Sequence, residues 1–124
     1  MKKKLISLLL VGCLLTNNQI VNAKSSTSVR VGGKSVVMNS KISKTTASSY
    51  TGSDGTVKAR VTSDYYYAKA GTKHGPISKN SGFVYGVASV GFSAGKEGVS
   101  LTVVSNHTAI YGGDRSDANT SASY

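Results

Sequence analysis

The fold class follows from one stretch of the chain, TVKARVTSDYYY at residues 56–67. Every second residue from Val57 to Val61 is apolar and the residues between them are polar, so one face of the segment is apolar and the other is wet. The tyrosines that follow extend the alternation, which places Tyr66 on the outer face. This pattern predicts a half-buried β-strand.

Later segments give the same indication. Residues 83–94 are apolar on both faces, which predicts a central strand covered on two sides. Residues 99–103 alternate, the phase slips at Val103-Val104, and a β-bulge there would keep both apolar sets on the core. Residues 118–124 alternate weakly and predict a last strand. Turn clusters rich in glycine and aspartate separate these runs at 53–55, 95–98 and 112–114.

Helical periodicity is absent from residues 24–124, and Ser, Thr, Gly and Val are poor helix formers. The sequence therefore predicts an all-β fold, a small antiparallel sandwich or barrel. Residues 56–124 form the β domain in this interpretation. Residues 24–55 carry only five large aliphatic side chains among 32, embedded in Ser, Thr and Lys. That composition predicts a loosely ordered N-terminal segment, with edge strands of the sandwich as the alternative.

Residues 1–23 have the composition of a secretory signal peptide. Three lysines precede an apolar run of eleven residues, 5–15, and the segment ends at the small residue Ala23. The run is shorter than the roughly 20 residues that span a bilayer. We expect a secreted, extracellular bacterial protein. In the alternative, Leu10-Val11-Gly12-Cys13 is a lipobox and the protein is a lipoprotein anchored at Cys13.

Catalytic and metal-binding patterns are weak. Residues 91–95, GFSAG, match the G-x-S-x-G nucleophile elbow, but no helix is indicated after Ser93, so a strand end entering a hairpin turn is the better interpretation. Ser105 and His107 share one strand face at about 7 Å, too far apart for a direct hydrogen bond. We expect His107 to be half exposed. The sequence predicts no enzyme, no catalytic residue, no metal site and no cofactor.

Charge is the more informative feature. Residues 24–124 contain twelve Lys and Arg against five Asp and Glu, a net charge of +7. This balance favours anionic partners. Several of these cations flank or occupy residues 71–82, which we expect to form a long loop. The candidate ligand-binding residues are Lys58, Arg60, Tyr66, Lys69, Lys73, His74 and Lys79.

One family resemblance involves the same region. A tyrosine run, a basic His-containing segment and an apolar Gly/Ala strand, together residues 65–94, resemble the secreted β-sandwich bacteriocins of the lactococcin type. The chain lacks the tryptophans expected in that family, and residues 95–124 extend beyond the similar part. The resemblance implies an envelope-active protein.

Two function hypotheses follow from these observations. In the first, a small cationic secreted β-domain binds an anionic cell-wall polymer or membrane surface, in a bacteriocin-like manner. In the second, a structural or matrix protein self-associates through its sheet edges, with 99–104 as the segment most prone to pairing. Nucleic acid is not expected as a partner, because no aromatic-rich recognition motif or groove helix is indicated.

Overall fold

The computed structural model describes residues 23–124, most of which lie in nine β-strands. The strands are β1 (Ala23–Val31), β2 (Lys34–Ile42), β3 (Thr46–Gly52), β4 (Lys58–Lys69), β5 (Thr72–Asn80), β6 (Val84–Tyr85), β7 (Val87–Ser93), β8 (Gly98–Tyr111) and β9 (Asp114–Ser123). The predicted signal peptide and the lipobox cysteine, Cys13, lie outside the described residues. Within residues 23–124, no helix is long and apolar enough to cross a membrane.

The strands form two antiparallel sheets that pack face to face. One sheet has the order β1-β2-β3-β7, and the other has the order β5-β4-β8-β9 with the short strand β6 also paired to β4. We call them the β2–β3 sheet and the β4–β8 sheet after their central strands. This architecture confirms the predicted all-β sandwich. The connection from β6 to β7 crosses from the β4–β8 sheet to the β2–β3 sheet at one corner.

The stretch that decides the fold class, now strand β4, has the predicted alternation. Val57, Ala59, Val61 and Tyr65 are fully buried between the sheets. Their polar neighbours face outward and are half buried. β4 pairs with β8 on one side and with β5 and β6 on the other, so it is the central strand of its sheet.

Residues 24–52 are built into the sandwich as the three strands β1, β2 and β3. The structure therefore has the strand alternative here in place of a loose segment, and among the three only β1 lies at a sheet edge. Val31, Val36, Met38 and Ile42 are buried core residues. A count of large aliphatic side chains underestimates this region because its inward positions also carry serine and threonine, which the opposite sheet covers.

The structure corrects the prediction of one central strand over residues 83–94. The chain is divided there at Gly86, whose φ of +95° suits glycine, into β6 and β7. Both pieces lie at sheet edges, so Phe83, Val84, Tyr85 and Val87 are exposed rather than covered on two sides. Ala88 and Phe92 of β7 do reach the core.

β8 contains the predicted irregularity at a different place. Opposite Tyr66 and Tyr67 of β4, the register shifts from Thr102 to Ser100 and leaves Leu101 as the additional residue. Val104 lies on the outer face and is 45% exposed, so the bulge does not bring it to the core. Beyond the bulge, the inward positions of β8 are residues 103, 105, 107 and 109, which are all buried.

Candidate ligand-binding surface

The structure also corrects the prediction of a long basic loop at residues 71–82, because most of this segment is strand β5. β4 and β5 form a hairpin whose turn is Ala70-Gly71, with φ of 53° and 77°. Positive φ at both positions is the geometry of a two-residue hairpin turn of the kind that matches strand twist. Lys69 is exposed at the last position of β4, before this turn. β5 is exposed along its whole length.

Four of the seven predicted residues lie on the outer face of the β4–β8 sheet. Lys58, Arg60 and Tyr66 occupy outward positions of β4, and Lys73 of β5 holds its ammonium nitrogen 4.9 Å from the centre of the Tyr66 ring. Tyr66 is half buried, and part of one ring face is occupied by this lysine. Lys73 is therefore the cation that contacts Tyr66.

His74 and Lys79 lie on the opposite side of β5 and belong to a different environment. The His74 ring stacks on Tyr67, with 5.2 Å between ring centres and 15° between planes. Lys79 donates from Nζ to the Gly91 carbonyl at 2.7 Å and lies 5.3 Å from the Phe92 ring centre. Lys79 thus links β5 to β7 across the gap between the sheets. The seven predicted residues do not converge on one site.

Lys58 and Arg60 instead adjoin aromatic residues that the sequence placed in the core. Lys58 Nζ lies 6.0 Å from the Tyr85 ring centre, and the Arg60 guanidinium carbon lies 4.5 Å from that of Phe83. Tyr85 is 67% exposed and Phe83 is 40% exposed. We name residues 83–87 the aromatic corner. The sequence feature that indicates the aromatic corner is the pair of glycines Gly82 and Gly86. Only three residues lie between them, too few for a long covered strand.

Lys58 and Arg60 form no salt bridge with an acidic side chain of the described residues. Two salt bridges occur there, Lys34–Asp54 and Arg115–Asp117, each at 3.0 Å. Asp117 lies on the same outer face, and its pKa is below the ordinary value because of hydrogen bonds from Arg115 and Thr108 and, as a smaller cause, the charge of Arg60. Because the direct partners of Asp117 are Arg115 and Thr108, Lys58 and Arg60 remain available to an external anion.

The centre of the sandwich contains polar side chains whose burial the sequence analysis did not predict. We name seven buried residues the polar layer: Ser40, Ser49, Thr51, Ser63, Ser105, His107 and Thr120. Ser105 Oγ lies 2.6 Å from Ser49 Oγ, 2.6 Å from Ser63 Oγ and 3.0 Å from Ser40 Oγ. Ser40 Oγ continues to Thr120 Oγ1 at 2.6 Å. The hydroxyls of both sheets are therefore joined in one network.

His107 completes this network and is 1% exposed, which corrects the expectation of a half-exposed residue. Burial lowers the pKa of His107 to about 4, so the ring is neutral at pH 7. Thr51 donates to the Arg60 carbonyl at 3.0 Å and therefore accepts from the His107 Nδ1–H at 2.9 Å. Nε2 then accepts from the Thr120 hydroxyl at 2.7 Å. Each ring nitrogen has one partner.

The polar layer does not have the form of a nucleophilic site. Its members are 0–4% exposed, so a substrate has no direct access to them. Ser105 and His107 form no hydrogen bond with each other, and no charge contributes to the pKa shift of His107. A hydrolytic triad needs a carboxylate to orient the imidazole and an open nucleophile. The layer instead satisfies its own hydrogen bonds inside the core.

Ser93, the serine of the G-x-S-x-G pattern, ends β7 and accepts a hydrogen bond from the Gly95 N–H at 3.1 Å. The chain then turns into β8, so the strand-end interpretation agrees with the structure. A separate cleft of about 580 Å³ lies at one end of the β2–β3 sheet. It includes Lys24 and Lys41, which are cross-strand neighbours.

Across residues 23–124, no three His, Cys, Asp or Glu side chains are grouped in a way that could hold a metal ion. Strand β9 contains two aspartates, which do not form a shared site. Asp117 is bound by Arg115 and Thr108, and Asp114 is exposed at the first position of the strand. Comparison with protein-family models, with curated proteins and with solved structures finds no match for this chain.

Proposed function

We propose that this protein is a secreted, cationic β-sandwich that binds an anionic surface of the bacterial envelope. The observation that carries the proposal is the aromatic corner, where Lys58 and Arg60 lie beside exposed Phe83 and Tyr85 and form no salt bridge within the described residues. An antagonistic, bacteriocin-like effect is the activity that the family resemblance implies for such binding.

The overall charge supports the same proposal. Residues 24–124 carry a net charge of +7, and two of their twelve cations are in salt bridges within the described part of the chain. A surplus of this size attracts polyanions over a distance set by the salt concentration. The partner is thus expected to be an anionic wall polymer or a membrane with acidic headgroups.

The test measures binding of the mature protein to purified cell walls and to vesicles that contain an acidic phospholipid. We expect affinity to fall steeply between 0.01 M and 0.15 M salt, because the Debye length shortens from about 30 Å to about 8 Å. The double variant Lys58→Gln/Arg60→Gln should lose affinity, by about fivefold for each cation.

The matched control is Lys44→Gln/Lys96→Gln, which removes two exposed lysines from turns elsewhere on the sandwich. It should weaken binding much less than the corner variant. Binding that is indifferent to salt, or equal losses in the two double variants, would contradict the proposal.

Self-association through sheet edges is the second candidate and has less support. Residues 99–104, the segment most prone to pairing, lie in β8, which is paired with β4 and with β9. The exposed strand β5 carries Lys73, Pro76 and Lys79, and lysine and proline on an edge strand disfavour pairing with another chain. A concentration series in sedimentation velocity tests it, and a monomer at all concentrations would remove this candidate.

A further inference from the structure

The aromatic corner combines exposed apolar side chains with neighbouring cations. Phe83 is 40% exposed, Val84 38%, Tyr85 67% and Val87 60%. Phe83 and Tyr85 lie beside Arg60 and Lys58 on the outer face of the β4–β8 sheet, whereas Val87 pairs with Gly52 and faces outward from the β2–β3 sheet. Neighbouring exposed apolar groups on a small domain indicate an interaction site. Phe83 and Tyr85, next to cations that form no salt bridge within the described residues, favour a partner that is anionic at its surface and apolar beneath it.

The backbone holds this corner in place from both sides. Before it, the Ser81 N–H donates to the Val61 carbonyl at 2.9 Å, and the Gly82 N–H donates to Asn80 Oδ1 at 2.8 Å. After it, Gly86 donates to the Val57 carbonyl and accepts from the Ser53 N–H, both at 2.9 Å. The exposed side chains therefore project from an anchored turn, and their exposure is a property of the fold.

Arg60 covers aromatic surface that a sugar would need. Carbohydrate recognition relies on an open ring face, whereas the Arg60 guanidinium carbon lies 4.5 Å from the Phe83 ring centre. An anionic polymer in solution would pair with the cations and leave the apolar surface of Tyr85, which is 67% exposed, in water.

A lipid bilayer makes use of both kinds of side chain on this face. Aromatic side chains partition into the boundary between headgroups and acyl chains, and Lys and Arg on the same surface pair with acidic headgroups. We infer that the aromatic corner inserts Phe83 and Tyr85 into the headgroup boundary of an anionic membrane, with Lys58 and Arg60 at the phosphate level. This inference rests on the proposed envelope binding and selects the membrane as its target.

The test uses the absence of tryptophan from the chain. Tyr85→Trp places the single tryptophan of the chain, which can be excited selectively beside the remaining tyrosines, at the corner. Tyr124→Trp, at a tyrosine that is 43% exposed, is the matched control. Vesicles of phosphatidylglycerol and phosphatidylcholine should shift the emission of Tyr85→Trp to shorter wavelength. Vesicles of phosphatidylcholine alone should not, and Tyr124→Trp should not shift in either. Equal shifts in the two variants would overturn the inference.

Affinity for the same anionic vesicles gives an independent measurement. Phe83→Ser/Tyr85→Ser should lower it at least tenfold, while Val104→Ser, at an exposed valine on the outer face of β8, should leave it unchanged. Circular dichroism confirms that each variant is folded. Equal losses for the corner variant and Val104→Ser would contradict insertion.

Failure of the inference and failure of the proposed function are distinguishable. Salt-dependent binding to purified walls, with no binding to anionic vesicles, would overturn membrane insertion and leave envelope binding intact. No binding to either material would overturn both.

Discussion

The polar layer and the aromatic corner reverse the usual distribution of side chains. In the layer, hydroxyls and an imidazole are 0–4% exposed at the centre of the sandwich. At the corner, aromatic and aliphatic side chains are 38–67% exposed. Residue type alone would predict that the polar layer is exposed and that the aromatic corner is buried.

The difference shows that burial is set by available partners rather than by polarity. A buried hydroxyl is tolerated when it is hydrogen-bonded, and each hydroxyl of the layer has a partner at 3.0 Å or less. The corner has no opposite sheet to cover it, so its apolar side chains remain in water until another surface covers them.

The layer also specifies how the sheets pair. A slip of β8 by one residue would turn Ser105 and His107 to the outside and remove one hydrogen-bond partner each from Ser40, Ser49 and Thr51. Lost hydrogen bonds in the core are costly, so the network favours one register over its neighbours.

The largest expected effect is the removal of the imidazole. His107→Ala creates a cavity and removes one hydrogen-bond partner each from the buried threonines Thr51 and Thr120. We therefore expect the free energy of unfolding to fall by about 3–5 kcal/mol. Denaturant unfolding measures it. His74→Ala, at the exposed histidine of β5, is the control and should change stability by less than about 1 kcal/mol. Similar losses in the two variants would mean that the layer does not stabilise the core.

Acid should lower the stability of the folded protein through the same histidine, without a mutation. The pKa of His107 is lowered from 6.5 to about 4 by burial, so between these values the unfolded chain binds a proton that the folded protein does not. Stability is therefore complete above pH 6.5 and falls as the pH falls to about 4, by about 3 kcal/mol in total. The lowered pKa of Asp54, about 2, acts at lower pH.

Denaturant unfolding at several pH values between 4 and 7 measures this loss. His107→Gln, which keeps a donor and an acceptor and does not titrate, should have a flatter stability profile in this range. An equally steep profile in this variant would assign the loss to other groups.

The smallest effect is expected at the corner. Val87→Ala should change the free energy of unfolding by less than about 0.5 kcal/mol because Val87 is 60% exposed. The same substitution at the fully buried Val61 should lower it by about 2–3 kcal/mol. A large loss at Val87 would show that the corner serves the core rather than an external surface.

Much of the fold could be predicted from local pattern. The alternation from Val57 to Val61 and the turn at Gly112-Gly113 appear in the structure as the sequence indicates. Lys58 and Arg60 were identified as surface cations, but their aromatic neighbours were assigned to the core. Phe83 and Tyr85 were misassigned because edge and central strands can carry the same apolar residues, and only the neighbouring strands distinguish them.

The sequence by itself determined the all-β class, the turns near residues 53–55, 95–98 and 112–114, and the excess of positive charge. These properties depend on residues adjacent in the chain or on composition. The tertiary structure decided which serines and which histidine are buried, and which apolar residues are left outside. Ser40 and Ser105 are 65 residues apart in the chain and meet only when the two sheets pack. Burial is a property of partners distant in sequence, and local alternation carries no information about them.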